Sequence, residues 1–143
     1  MAFDFHTIYQ VMWTKGDAEI LLEYIDTLFD SLYGLDNKSF ESMAGKMPEE
    51  TIARTLVAEI RKVPENQGRD YLRELKDSVK NCETIKLTTA VNLPKDMIGE
   101  IIEELRKKYN QLIIDLETDP EIVGGAKISW RGRYWEKALY DQI

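Results

Sequence analysis

Four acidic residues alternate with other residue types near the C-terminal end of the chain, and they are the first candidates for chemistry. They are Asp115, Glu117, Asp119 and Glu121. Carboxylates at this spacing suggest calcium, but a calcium loop of the EF-hand type needs glycine at position 6 and glutamate at position 12. Counted from Asp115, these positions hold Pro120 and Ala126. The run does not match a calcium loop, and the pattern favours charges on the solvent side of a strand edge.

The chain has one histidine, His6, and one cysteine, Cys82. A nucleophile–base pair that uses histidine would depend on His6, which no catalytic motif surrounds. A zinc site needs about four ligands, and this pair cannot supply the usual set. We therefore predict no catalytic residue, cofactor or metal ion. A small enzyme that uses Asp119 and Glu121 as acids stays open as an alternative.

The run Asp119–Ile128, with the sequence DPEIVGGAKI, connects two strand-like segments. Pro120 fixes its own φ, whereas Gly124 and Gly125 accept backbone angles that a Cβ would forbid. Phosphate-binding glycines lie before a helix in a GxxxxGK[ST] or GxGxxG pattern, but these glycines lead into a strand. The run therefore indicates a shaped contact surface rather than a nucleotide site.

Helical periodicity dominates the first 82 residues. The clearest helix covers 17–33, with an apolar stripe on one side and four carboxylates on the other, namely Glu19, Glu23, Asp26 and Asp30. Further helices are predicted over 36–45, over 48–62 with Pro48 in its first position, and from a cap at Asn66 to Cys82 on its apolar side. Residues 3–13 fit either a helix or a strand, and we favour a helix. Together they predict an N-terminal helical bundle.

Near Cys82–Thr84 the apolar period changes from 3.6 to 2, and we place a domain boundary there. The segments that follow are a strand whose alternation runs from Ile85 to Val91, a helix from Pro94 to Tyr109, strands 112–117 and 126–131, and a terminal helix from Tyr134 to Gln142. The predicted fold is α+β, with a helical bundle over 1–82 and a small β-α-β-β-α domain over 83–143.

Charge and apolar patterning limit the partners. Residues 1–50 hold ten carboxylates and three lysines, and their net charge of −7 equals that of the whole chain. Nucleic acid is therefore excluded as an expected partner, whereas a basic protein segment fits. The acidic face of helix 17–33 is either a solvated face or a docking surface for a basic helix. Trp130 is predicted to lie in the core, and Trp135 is either a core residue or an interface anchor.

No apolar run is long enough to span a bilayer, and the first residues lack the features of a signal or transit peptide. We expect the protein to stay in the compartment where it is made. A single cysteine suits a reducing cytoplasm.

Residues 84–140 resemble the C-terminal domain of the δ subunit of F-type ATP synthase, the family of the oligomycin sensitivity-conferring protein. Its Leu-Pro-like helix start is matched by Leu87–Pro94, and its D-P-x-[IL]-[IV]-G-G signature by Asp119–Gly125. Where the family has D-x-S before its last helix, this chain has Glu136-Lys137-Ala138, which keeps a carboxylate and loses the hydroxyl. The resemblance implies that the N-terminal half is a shortened or divergent version of the family's six-helix bundle.

The resemblance implies a non-catalytic stator subunit in the peripheral stalk, held at the inner face of the cell membrane only through the complex. In the family, the bundle binds the N-termini of the α subunits and the C-terminal domain binds the end of the b subunit. The resulting candidates for partner contact are the four carboxylates of helix 17–33 together with Asp119, Pro120, Gly124, Gly125 and Trp135. Two alternatives stay open: a free-standing adaptor, and a stalk subunit of a V-type ATPase.

Overall fold

The computed structural model describes residues 3–33, 37–122, 125–130 and 133–138. Over these residues the chain is a mixture of helix and strand, as the sequence predicts for an α+β protein. It divides into two compact units, of which the first comprises Met1–Met12 and Asp17–Asn81. The second comprises Trp13–Gly16 and Cys82–Ile143.

Five α-helices precede the sheet among the residues that the structure describes. They are α1 (His6–Tyr9), α2 (Lys15–Tyr33), α3 (Asn37–Lys46), α4 (Thr51–Arg61) and α5 (Gly68–Lys80), with a short 3₁₀ helix at Glu65–Gln67. The helices predicted over 17–33 and 36–45 are confirmed to within two residues at each end. A closed bundle of these helices stays a prediction.

The buried residues of α2, α4 and α5 recur every three or four positions, and they form the core of the first unit. Its largest fully buried members are Leu21, Ile25, Leu28, Leu56, Leu72 and Leu75. Removing each such side chain from water is worth roughly 1.5–3 kcal/mol. Burial of this apolar face is what selects the helical conformation in the acidic N-terminal half.

Two predicted helix starts are wrong. Pro48 lies before α4, which begins at Thr51, because the Glu50 carboxylate caps the helix by accepting a hydrogen bond from the Ile52 amide at 3.0 Å. Asn66 lies within the 3₁₀ helix and does not cap α5, whose N-cap residue is Gln67. Cys82 lies past the end of α5 and is half-buried.

The second unit is built on a sheet that has four strands in the described part of the chain. They are β1 (Glu83–Thr89), β2 (Leu112–Thr118), β3 (Gly125–Trp130) and β4 (Arg133–Ala138), in the spatial order β2-β1-β3-β4. Helix α6 (Lys95–Arg106) connects the parallel pair β1 and β2, and β3 pairs antiparallel with both β1 and β4.

The core of this unit lies between the sheet and α6. Leu87 of β1, Ile114 of β2 and Ile102 of α6 are at most 3% exposed and form one cluster. Ile85, Leu87 and Thr89 alternate inward as the sequence predicts. Val91 follows the strand and is 62% exposed, so its predicted place in the alternation is wrong. Tyr109 lies past the end of α6 and is also exposed.

The predicted terminal helix from Tyr134 to Gln142 is wrong over its described part, because residues 133–138 form β4. Every residue of β4 pairs with one of β3, starting with Arg133 opposite Trp130. Tyr134 and Trp135 are of residue types that favour strands. The domain is therefore β-α-β-β-β up to residue 138, and the rest of the predicted helix lies outside the described residues.

A short segment adds to the free side of β2. Thr14 forms an isolated parallel bridge with Ile114, and the Ile114 amide donates a hydrogen bond to the Trp13 carbonyl at 2.9 Å. The segment Trp13–Gly16, called the edge segment below, therefore belongs to the second unit. It includes the first two residues of α2, whose remaining residues belong to the first unit.

Candidate functional site

The first candidate surface is the acidic stripe on α2, formed by Glu19, Glu23, Asp26 and Asp30. All four residues are exposed. Their spacing of three or four residues aligns them along the helix, while Leu21 and Leu28 are fully buried on the opposite side. The fold thus presents the four carboxylates to solvent together, as the helical pattern predicts.

One member of the stripe already has a partner within the first unit. Asp26 Oδ1 accepts a charge-assisted hydrogen bond from Lys76 Nζ of α5 at 2.8 Å. The two side chains are 60% and 36% exposed, so the pair contributes at most about 1 kcal/mol to folding. A stronger cationic partner could therefore replace Lys76 at small cost.

An apolar side chain accompanies the stripe. Ile20, between Glu19 and Glu23 on α2, is 39% exposed. Tyr24, one position after Glu23, is half-buried and donates a hydrogen bond from its hydroxyl to Glu50 Oε2 at 3.1 Å. Partial burial, followed by the hydrogen bond to Glu50, raises the pKa of Tyr24 above its usual value. The stripe thus combines negative charge with an exposed aliphatic group, which is the chemistry that a basic amphipathic helix complements.

The second candidate surface lies where β1 and β2 end, and we call it the turn surface. It consists of Val91, Asn92, Asp119, Pro120 and Glu121. Because β1 and β2 are parallel, their carboxyl ends lie at the same edge of the sheet. The Asp119 amide donates to the Thr89 carbonyl at 2.7 Å, which joins the segment after β2 to the last residue of β1.

Hydrogen bonds fix the local shape of the turn surface. Asp119 Oδ1 accepts from the Glu121 amide at 3.0 Å, and the Asp119 carbonyl accepts from the Ile122 amide at 3.1 Å. Across the surface, Thr118 Oγ1 donates to Asn92 Oδ1 at 2.9 Å. Pro120 adds a fixed φ. The Asp-Pro turn is therefore rigid, although Pro120 and Glu121 are exposed.

The remaining predicted contact residues are described only in part. Gly124 lies outside the described residues. Gly125 begins β3, where its Cα is paired with that of Ala138. Trp135 is paired with Ile128 across β3 and β4, but its side chain and that of Trp130 lie outside what the structure describes. The structure therefore leaves the choice between core and interface for Trp135 open.

The described residues contain no group of three or more His, Cys, Asp or Glu side chains that could hold a metal ion. His6 is exposed, and its Nε2 lies 3.2 Å from Gln10 Nε2. Within the same part of the chain, no helix combines the length and apolar character needed to cross a bilayer.

Sequence reasoning missed two structural residues near these surfaces. Glu50 caps α4 and binds Tyr24. An acidic residue near a helix start indicates by itself only a favourable interaction with the helix dipole, so the sequence does not signal the bond to Tyr24. Trp13 pairs with β2, and no local pattern signals this because its partner Ile114 is far away in sequence.

Comparison with protein families identifies a match over much of the chain. The model of the ATP synthase delta (OSCP) subunit matches residues 42–142 of the chain, which is more than half of its length. Comparison with curated proteins gives no match. The matched range contains the turn surface and β1 to β4, whereas the acidic stripe and the edge segment lie before it.

Proposed function

Because the chain belongs to the ATP synthase delta (OSCP) subunit family, we propose that it is the peripheral-stalk, or stator, subunit of an F-type ATP synthase. As a member of this family it is an ATP synthase subunit. Its proposed task is to connect the catalytic head to the b-subunit stalk and to resist the torque that the rotor exerts on the head. The match over residues 42–142 is the observation that carries this proposal.

A stator needs stable interfaces and no reacting group. We propose that the subunit is non-catalytic and acts without a cofactor. We assign head binding to a bundle over residues 1–82 and stalk binding to a domain over residues 83–143, following the order of tasks along the family's chain. The subunit would then lie at the inner, cytoplasmic face of the cell membrane, held there by its partners.

The turn surface is the proposed contact for the C-terminal end of the b subunit. It includes Asp119 and Pro120 of the family signature, and Gly124 and Gly125 follow directly in the chain. The hydrogen bonds of Asp119 to Thr89 and Glu121 support this assignment, because a surface that is already ordered loses little entropy on binding. We include Trp135 in the same contact as a candidate anchor.

The acidic stripe is the proposed contact for the N-terminal helices of the α subunits. Since the stripe lies before residue 42, this assignment rests on charge and exposure. An amphipathic helix with basic residues would place its cations against Glu19, Glu23 and Asp30, and an apolar side chain against Ile20. Electrostatic complementarity of this kind mainly speeds association and sets specificity.

Affinity capture tests the proposal directly. The tagged full chain is isolated from gently solubilised membranes of its source, and the retained proteins are identified by mass spectrometry. Recovery of α, β and b subunits in stoichiometric amounts is expected. Recovery of V-type subunits would reassign the complex, and a preparation without any ATPase subunit would favour a free-standing adaptor.

Charge reversal then distinguishes the proposed role of the acidic stripe from that of the turn surface. Glu23→Lys with Asp30→Lys should reduce the recovery of α and β about tenfold or more, because like charges repel a basic helix, and it should spare b. The matched control is Glu103→Lys on the exposed side of α6. Equal recovery of all subunits with the double variant would contradict the role of the stripe and leave the stator proposal intact.

A further inference from the structure

The outer side of β2 is occupied by the chain's own edge segment. The Ile114 amide donates to the Trp13 carbonyl at 2.9 Å, and Thr14 continues the pairing as a parallel bridge. On its other side, β2 pairs with β1 along its full length, with Ile85 opposite Ile114. At Ile114, β2 therefore has a neighbour on each side.

The Trp13 ring packs closely against α6 at Gly99. A Cβ added to Gly99 would lie 3.0 Å from Trp13 Cη2 and 3.3 Å from Cζ3, closer than nearly all ordinary carbon contacts. Glycine at this position lets the indole approach the helix backbone. The ring also packs against the cluster of Leu87, Ile102 and Ile114.

The side chain of Lys95 lies beside the same Trp13 ring. Lys95 Nζ lies 6.0 Å from the centroid of the Trp13 ring, within reach of a cation–π interaction. Lys95 and Gly99 are four residues apart on α6, so both face the same side of the helix. The helix therefore offers a glycine that admits the ring and a cation that attracts it.

We propose that the edge segment acts as a lock of the second unit. The contact between Trp13 and Gly99 holds residues 13 and 14 against the edge of β2, and other chains are thereby prevented from pairing with that edge. Leu112, Ile113 and Ile114 are all at most 5% exposed. Without the edge segment, this apolar strand would present unpaired backbone groups, which is the usual starting point for edge-to-edge association. The edge segment lies before the family match, whereas Gly99 and β2 lie within it, and the lock does not depend on the proposed function.

Amide exchange at Ile114 tests the lock in the full chain. Trp13→Ala and Gly99→Ala should each accelerate exchange of the Ile114 amide, measured by NMR, about tenfold or more. The reason is that the hydrogen bond from this amide to the carbonyl of residue 13 would open more often. The Asp119 amide, which donates to the Thr89 carbonyl beyond the far end of β2, is the internal reference and should change little. The matched control is Gly45→Ala on α3, where an added Cβ meets no described atom within 4 Å.

A double-mutant cycle isolates the contact between Trp13 and Gly99. Alanine in place of a helical glycine normally stabilises, so Gly99→Ala should slow exchange or leave it unchanged in a Trp13→Ala background and accelerate it in the wild-type background. The Gly99→Ala variant retains all side chains of the core, so the test does not depend on whether Trp13→Ala folds. Equal effects in both backgrounds, or an Ile114 amide indifferent to either change, would overturn the lock.

Sedimentation velocity tests the protective role. Trp13→Ala should self-associate at concentrations where the wild type and Gly45→Ala sediment as a single species. If Trp13→Ala also sediments as that species, the edge segment does not protect β2.

Discussion

Tyr24 and Glu50 are joined by a hydrogen bond that connects the middle of α2 to the start of α4. The Tyr24 hydroxyl donates to Glu50 Oε2 at 3.1 Å, while Oε1 of the same carboxylate accepts from the Ile52 amide at 3.0 Å. One side chain therefore caps a helix and fixes a second helix against it. Because the Glu50 carboxylate caps the helix, α4 begins at Thr51 rather than at Pro48.

Substitution of Glu50 should separate these two contributions. Glu50→Ala removes both bonds and should lower the free energy of unfolding by about 1–3 kcal/mol. Tyr24→Phe leaves the cap in place and should cost about 0.5–1.5 kcal/mol. Urea denaturation followed by far-UV circular dichroism measures both. Glu49→Ala, at an exposed neighbour paired with Arg54, is the matched control. A Glu50→Ala variant as stable as this control would contradict the capping role.

The pair of Glu104 and Lys107 predicts a specific pH dependence. The hydrogen bond and the charge of Lys107 lower the pKa of Glu104 from its ordinary value of 4.5. A carboxylate with a lowered pKa in the folded state contributes stability above that ordinary value, and the contribution is lost as the pH falls through the folded pKa. In an NMR titration, Lys107→Ala should return the pKa of Glu104 to about 4.5. Lys80→Ala on α5 should leave it unchanged.

Asp119 should stabilise the turn surface through its side chain. Asp119→Ala removes the acceptor for the Glu121 amide, so exchange of that amide should accelerate about threefold to tenfold. Asp119→Asn keeps an oxygen acceptor and should change the exchange much less. Hydrogen exchange by NMR distinguishes the two variants. If Asp119→Asn exchanges as fast as Asp119→Ala, the negative charge rather than the hydrogen bond holds the turn.

The elements that local periodicity determines were predictable from the sequence. Leu21, Ile25 and Leu28 recur at helical spacing and are buried on α2, and Ile85 and Leu87 alternate inward on β1. In both cases the residues that define the pattern also make the contacts. The acidic stripe follows from the same helix, since its carboxylates occupy the remaining face.

The features that depend on distant partners were not predictable in the same way. The segment around Trp135 contains residues compatible with a short helix, but pairing with β3 makes it a strand. Trp13 and Thr14 have no strand pattern of their own, and only their pairing with Ile114 gives them a place in a sheet. The Glu50 cap likewise depends on Tyr24, which comes from another helix.

The placement of the edge segment also determines how the molecule responds to a broken chain. A cut after Asn81 would separate the helices α1 to α5 from the strands β1 to β4 in sequence. The first fragment would nevertheless retain Trp13 and Thr14, and the second would retain their partner Ile114. After such a cut, β2 would meet Trp13 and Thr14 only through noncovalent contacts, so occupancy of its outer side would depend on the concentration of the first fragment.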